Sequence, residues 1–234
     1  PSTDMDANSV TFTNCIGLNK MGGITTTRTS GYSAYDITFK NCVIWDYTSW
    51  RQDSSVNNIR GLRDSIINCT FGFTASTGSG YAFNSYDKSG SSETLIKNSI
   101  IYAHTGAAAL YDVEYFNNNC VYGNTTNYIL TSPGSNVLST VNPIYSSTSN
   151  PTGGLKYITR IESSSNLSGR GESGLDIGAN LNNLIGRSGT LYGETGYNSD
   201  TGISMWPYPN ETLIKSKMAT YNNGGVSGAR GFCA

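Results

Sequence analysis

Residues 36–46 read DITFKNCVIWD, and the Asn-Cys pair at the centre of this stretch returns along the chain. It stands at Asn14-Cys15 in VTFTNCIG, at Asn41-Cys42 here, at Asn68-Cys69 in SIINCTFG and at Asn119-Cys120 in YFNNNCVYG. In LIKNSIIY its place is taken by Asn98-Ser99. The five asparagines are 27, 27, 30 and 21 residues apart. Each follows a short apolar or alternating run (VTFT, ITFK, SIIN, TLIK) and precedes another (CIG, CVIW, CTF, SII, CVY). Self-similarity at such a period marks a repeat architecture. Runs this short and rich in β-branched residues read as strands. Asparagine tolerates the left-handed backbone of a sharp bend, where its amide can bond locally. The expected unit is therefore a buried strand, a bend at Asn, a second buried strand and a third strand before the next unit. Stacked units bring equivalent residues about 4.8 Å apart. The asparagines should then form a ladder along one corner, with the small residue after each pointing inward. Unequal spacing is expected, because insertions collect in loops.

Third strands are expected at Gly23–Thr29, Asn58–Asp64, Tyr81–Asp87, Ala107–Asp112 and Asn127–Leu130, and the repeat spans about residues 9 to 131. The last unit fits imperfectly: Phe116 lies three residues before Asn119, where the other units place their apolar residue two before. Composition agrees with an all-β fold. Ser, Thr, Asn and Gly dominate the polar residues, with 27 glycines and 16 tyrosines, and helix formers are scarce. A chain of 234 residues fits one large β domain. With 15 basic and 16 acidic residues, 13% charged and no Lys/Arg cluster, nucleic acid is an unexpected partner. No apolar run approaches the roughly 20 residues of a membrane span. Without an initiator Met or signal peptide, and with SVTFT close to residue 1, the chain is expected to be a mature product or a fragment.

The repeat resembles the right-handed parallel β-helix proteins of the pectin-lyase-like class. The segment Asn136–Asn180 is similar to the closing segment of many bacterial members, with NPIY carrying Asn142 where an acidic residue is usual. LKYITRIESSSNLSG follows, and DIGA stands at Asp176–Ala179. The resemblance implies an all-β, right-handed parallel β-helix (solenoid) over residues 1–180. A C-terminal extension, residues 181–234, is expected to pack on the helix or cap it. In that extension Pro207 and Pro209 precede Asn210, a helix cap for the short helix ETLIKSKM. The likeness is specific for fold and weak for function, since lyases, hydrolases, epimerases, spikes and adhesins share the scaffold.

Cys15, Cys42, Cys69 and Cys120 lack the close spacings of a zinc site, and the single histidine cannot complete one, so no metal site is expected. Their repeat position makes them small core residues stacked in a ladder, with disulfide pairing of neighbours as the alternative. Cys233 lies outside the ladder. A lyase of the resembled class needs a basic residue to take a proton beside a uronate carboxylate, with Ca²⁺ or Arg neutralising that carboxylate. The resemblance would put these groups on the third-strand face. Arg28, Arg60, Arg63 and Lys88 are the catalytic candidates there, beside Asp64, Asp87 and Asp112. Read plainly, they are a solvated charged face. His104 reads as a loop or turn residue, and Lys40 and Lys97 as outward-facing solubilising positions. Trp50, Tyr86 and Tyr111 are candidates for stacking on glycan or contacting subunits, or are simply packed.

Three functions are consistent with these residues: an extracellular or cell-surface structural or adhesive protein, a polysaccharide lyase or related enzyme on acidic glycans, and a piece of a longer β-helix. The first is favoured and catalysis is not, with no cofactor expected and calcium only under the lyase reading. Partners are then polysaccharide or identical subunits. Another chain or further coils should cover the first coil, with its Val10 and Phe12.

Overall fold

The computed structural model describes residues 9–21, 24–27, 36–47, 50–53, 63–74, 81–86, 93–104, 106–143, 159–161, 163, 165–186 and 191–205. Its strands come in triplets. The first is β1 (Ser9–Thr13), β2 (Ile16–Met21) and β3 (Ile24–Thr27), and the second β4 (Asp36–Lys40), β5 (Val43–Tyr47) and β6 (Trp50–Asp53). The third is β7 (Arg63–Ile67), β8 (Thr70–Thr74) and β9 (Tyr81–Tyr86), and the fourth β10 (Glu93–Lys97), β11 (Ile100–His104) and β12 (Ala108–Tyr111). A shorter fifth is β13 (Tyr115–Asn117), β14 (Cys120–Tyr122) and β15 (Tyr128–Ile129). Like strands of successive triplets pair in parallel, giving three five-stranded sheets. The protein is thus all-β, with parallel strands in stacked sheets. Among the described residues the only helix is one 3-10 turn, Glu172–Gly174. This arrangement is compatible with a parallel β-helix. No described helix is long and apolar enough to cross a membrane.

Register explains the core. Phe12, Phe39, Ile66, Ile96 and Phe116 align across the first sheet. Ile44, Phe71, Ile101 and Val121 align across the second, and Phe83 and Leu110 across the third. All but Phe12 are buried in one cluster between the sheets. Aligned apolar residues on the inward face of each sheet are what a shared core requires.

Between the first and second strands of each triplet, the backbone turns on one left-handed asparagine. Asn14, Asn41, Asn68 and Asn98 have φ of 55°, 50°, 53° and 50°. In the fifth triplet the bend falls at Asn118 (φ 53°), not at the expected Asn119, and a sixth follows at Asn136 (φ 53°). With the bend at Asn118, Phe116 sits two residues before it as in every other unit. Asn119 then takes the inward place of Cys15, Cys42, Cys69 and Ser99.

These inward residues serve the N–H that the bend leaves out of the sheet ladder. Cys15 N–H donates to Cys42 Sγ and Cys42 N–H to Cys69 Sγ, each at 3.4 Å. Cys69 N–H donates to Ser99 Oγ at 3.0 Å, and Ser99 N–H to Asn119 Oδ1 at 2.8 Å. Each buried donor thus finds its acceptor on the next unit's side chain. The four described cysteines are free thiols; Cys15, Cys42 and Cys69 stand in the expected ladder, whereas Cys120, one residue past the shifted bend, packs on the outer face of the second sheet with Ile177 and Leu181 and is not a ladder residue. Burial pushes the Cys69 and Cys120 thiols up from their ordinary pKa.

Three expectations are corrected here. The second triplet's third strand is Trp50–Asp53, which begins three residues after β5 ends, rather than Asn58–Asp64. Arg63 and Asp64 begin β7 in the first sheet, paired with β4 and β10, so they do not belong to the third-strand face. His104 is not a loop residue: it ends β11, is 1% exposed, and its N–H donates to Asn124 Oδ1 at 2.8 Å. The short helix expected at ETLIKSKM, and Cys233, lie outside the described residues.

Candidate functional site

The chain from Arg170 to Asn183 runs back along the asparagine corner, across the triplets, and every corner but the first and fifth binds it. Asn136 Nδ2 donates to the Arg170 carbonyl, and Asn98 Oδ1 accepts Glu172 N–H at 2.8 Å. Asn68 Nδ2 donates to the Asp176 carbonyl at 3.3 Å. Asn41 holds Asn180 twice, accepting its N–H at 2.7 Å and donating to its carbonyl at 3.2 Å. The asparagines also link in pairs, Asn41 to Asn14 (2.7 Å), Asn98 to Asn68 (3.5 Å) and Asn136 to Asn118 (3.2 Å). Lys97 on β10 adds an ion pair with Glu172 at 2.7 Å.

This strap also buries apolar side chains against the outer face of the second sheet. Ile177, Ala179 and Leu181 pack with Val43, Ile100, Cys120, Ile161 and Leu167. The segment DIGA is the centre of the contact. Gly178 N–H donates to the Asn98 carbonyl at 2.8 Å, and Ala179 N–H to Thr70 Oγ1 at 2.9 Å. Gly178 has φ 115°, and a Cβ there would lie 2.6 Å from Ile100 Cδ1. Only glycine fits that backbone and that approach.

After the strap, β16 (Asn183–Ile185) pairs antiparallel with β17 (Asp200–Ser204). The connection turns at Gly186 (φ 75°), whose N–H donates to the Ser199 carbonyl at 2.7 Å. This ribbon stands beside the first two corners and closes a cleft of ≈ 360 Å³. Asn14 and Asn41 form one side of it, the strap residues 180–182 its base, and Asn183, Ile185, Asn198 and Asp200 the other side.

The amides of the cleft are partly committed to one another. Asn182 Nδ2 donates to Asn180 Oδ1 at 2.6 Å, whereas Asn182 Oδ1 is buried with no hydrogen-bond partner. Asn183 Nδ2 donates to Asp200 Oδ2 at 3.2 Å, and Gly202 N–H to Asp200 Oδ1 at 2.7 Å. These donors, Gly202 foremost, hold the Asp200 carboxyl below its ordinary pKa. Asn14 Oδ1 accepts from Asn41, and among the described residues Asn14 Nδ2 has no acceptor.

Of the residues named from sequence, Arg28, Arg60 and Lys88 lie outside the described residues. Arg63, Trp50 and Tyr86 are placed by backbone alone: Arg63 at the start of β7, Trp50 at the start of β6 in register with Ile24 and Phe83, and Tyr86 at the end of β9 opposite Asp53. Tyr111 ends β12 in register with Asn84 and Ile129, half-buried. Asp112 follows it at a left-handed bend (φ 58°) and is 7% exposed. Neither Tyr111 nor Asp112 lines the cleft. The cleft went unread in the sequence, where the dense asparagines of ANLNNLIG (179–186) were its one signal.

Among the described residues no group of three or more His, Cys, Asp or Glu side chains stands together to hold a metal. Compared with protein-family models, curated proteins and solved structures, the chain matches none.

Proposed function

We propose that the chain is a right-handed parallel β-helix of the pectin-lyase-like kind, working outside the cell or at its surface. In this reading it is a structural or adhesive scaffold that contacts glycan and stacks on identical subunits into filaments or arrays. The observation that carries the reading is the first triplet. β1, β2 and β3 each end their sheet among the described residues. Phe12 occupies the register of four buried core residues, stacks on Phe39 at 4.6 Å, and is 38% exposed. A strand edge beside such a core section is where further coils or another chain add. Head-to-tail contact between identical subunits grows a filament unless rotation closes it.

Sedimentation and negative-stain imaging test this directly. Concentration-dependent linear assembly, suppressed by Phe12→Asp, is expected. Monodisperse monomers at all concentrations would sink the assembly reading. The same preparation is assayed for unsaturated uronate products on pectate, alginate and glycosaminoglycans, with and without Ca²⁺. None are expected, and cleavage lost in Arg60→Ala or Lys88→Ala would replace the scaffold by a lyase.

A further inference from the structure

We propose that the cleft between the first two asparagine corners and the β16–β17 ribbon is a binding subsite for an uncharged saccharide unit. This rests on the glycan-contacting part of the proposed function and names where the contact is made and with what chemistry.

The cleft has the size of a small-molecule site, ≈ 360 Å³ against a usual range of about 300–1,000 Å³. Its walls are amides with one carboxylate, and the described lining contains no Lys or Arg. Amides offer donors and acceptors side by side, which suits hydroxyl groups that must both give and take a hydrogen bond. The unspent valences have that mixed character. Asn14 Nδ2 is a donor without an acceptor among the described residues. Asn182 Oδ1 is an acceptor buried without a partner, which costs stability until a donor reaches it. Asp200 is already oriented by Gly202 and Asn183, and a carboxylate so held is an acceptor for a vicinal diol. Ile185, 38% exposed, supplies an apolar surface for the C–H face of a sugar ring.

The same features select against other ligands. A uronate would bring its carboxylate to Asp200 with no cation in the described lining to neutralise it, so the subsite should reject the acidic glycans a lyase would take. Calcium needs six to eight oxygen ligands and gains most from several carboxylates, whereas this lining offers one. The geometry is also rigid. Asn41 is fixed by three hydrogen bonds, and Asn183 and Asp200 are held across a two-stranded ribbon. A pre-set array loses less entropy when a ligand binds.

The test uses the full chain with labelled tetrasaccharides: cellotetraose, maltotetraose, mannotetraose and galactotetraose as neutral probes, and tetragalacturonate as the acidic one. Binding is read by microarray and then by titration with ¹⁵N side-chain amide spectra, with Ca²⁺ alone as a further probe. Expected are binding of at least one neutral probe, shifts of the Asn14, Asn182 and Asn198 amides, and a loss of tenfold or more in Asn198→Ala and in Asp200→Ala. Both positions are exposed; Asn198→Ala should melt like the parent, whereas Asp200→Ala also gives up the bonds from Asn183 and Gly202, so its melting is measured alongside. Neutral binding that survives both substitutions would overturn the cleft assignment while leaving a glycan-contacting surface elsewhere. Preference for tetragalacturonate, or amide shifts with Ca²⁺ alone, would overturn the ligand class. Failure of every probe would overturn the subsite, and filament assembly would still decide the scaffold reading separately.

Discussion

Replacing Thr70 by Val asks whether the strap is held by specific hydrogen bonds or only by apolar burial. Thr70 opens β8, is 0% exposed, and its Oγ1 accepts the Ala179 N–H at 2.9 Å. Valine keeps the β-branched shape and exchanges the hydroxyl for a methyl. If burial alone mattered, the added methyl would stabilise by roughly 0.8 kcal/mol. Instead the change strands the N–H of Ala179, itself 0% exposed, at about 1–3 kcal/mol. The net expectation is destabilisation of up to about 2 kcal/mol, roughly 1 kcal/mol at the centre of the range. The strap should stay attached, because Gly178, Asn180 and Leu181 keep their own backbone bonds to Asn98, Asn41 and Thr159. Urea unfolding gives the total, and amide hydrogen exchange at Ala179 gives the local part. Thr70→Ser is the control: it loses a methyl but keeps the acceptor, so Ala179 should exchange slowly in it and rapidly in the valine variant. A valine variant as stable as the parent, with Ala179 still protected, would refute the hydrogen-bonded docking of DIGA.

Cys42→Asp should destabilise by several kcal/mol in urea unfolding, because Cys42 is 0% exposed and a charge there has no cation to pair with in the ladder. Asn119→Leu, close in volume, should cost about 2–4 kcal/mol by the same measurement, since it strands Ser99 N–H and the Ile96 carbonyl, both now bonded at 2.8 Å. Burial raises the Cys120 thiol in the folded state, so the folded protein keeps a proton that the unfolded chain sheds near pH 9. That stability is present below pH 9 and is lost as pH rises beyond it, by up to about 1.4 kcal/mol per unit. Cys120→Ala should therefore show a shallower alkaline decline between pH 8.5 and 10.5 than the parent, and parallel curves would contradict the raised thiol.

The first and second strands were legible because one residue had to do an unusual thing. A left-handed bend at every unit admits few residues, so Asn recurs there, and apolar runs on both sides fix the two strands. The same logic misplaced the fifth bend. Asn117, Asn118 and Asn119 all qualify at a bend, and Cys120 drew the reading one residue too far. Phe116 held the correction, since the core stack places an apolar residue two before each bend. Asn119 could then enter the core because its amide does what a thiol does at other levels, accepting from Ser99 N–H, and also donates to the Ile96 carbonyl. The third strands had no such marker. WRQD (50–53) carries a single apolar residue, while NIRGLRD (58–64) offers two, and parallel pairing with β3 and β9 outweighed that local composition.

The cleft was illegible for a different reason: Asn41 and Asn180 meet across 139 residues, a juxtaposition that no spacing in the sequence announces. Yet its chemistry follows from the ladder. A side-chain amide carries two donor hydrogens and an acceptor oxygen. Along the middle of the corner each amide spends its acceptor and at least one donor hydrogen. Asn41 gives both hydrogens, to Asn14 and the Asn180 carbonyl, and Asn68 and Asn98 each bond both the strap and one another. Among the described residues Asn14 has a corner neighbour on one side only, and the strap has already left the corner for the ribbon when it passes. The residue that bends the first triplet therefore keeps a free donor where Asn182 keeps a free acceptor, among the described residues. A stack that satisfies its own polar groups internally leaves them available for a ligand at its end, and that is where the cleft lies.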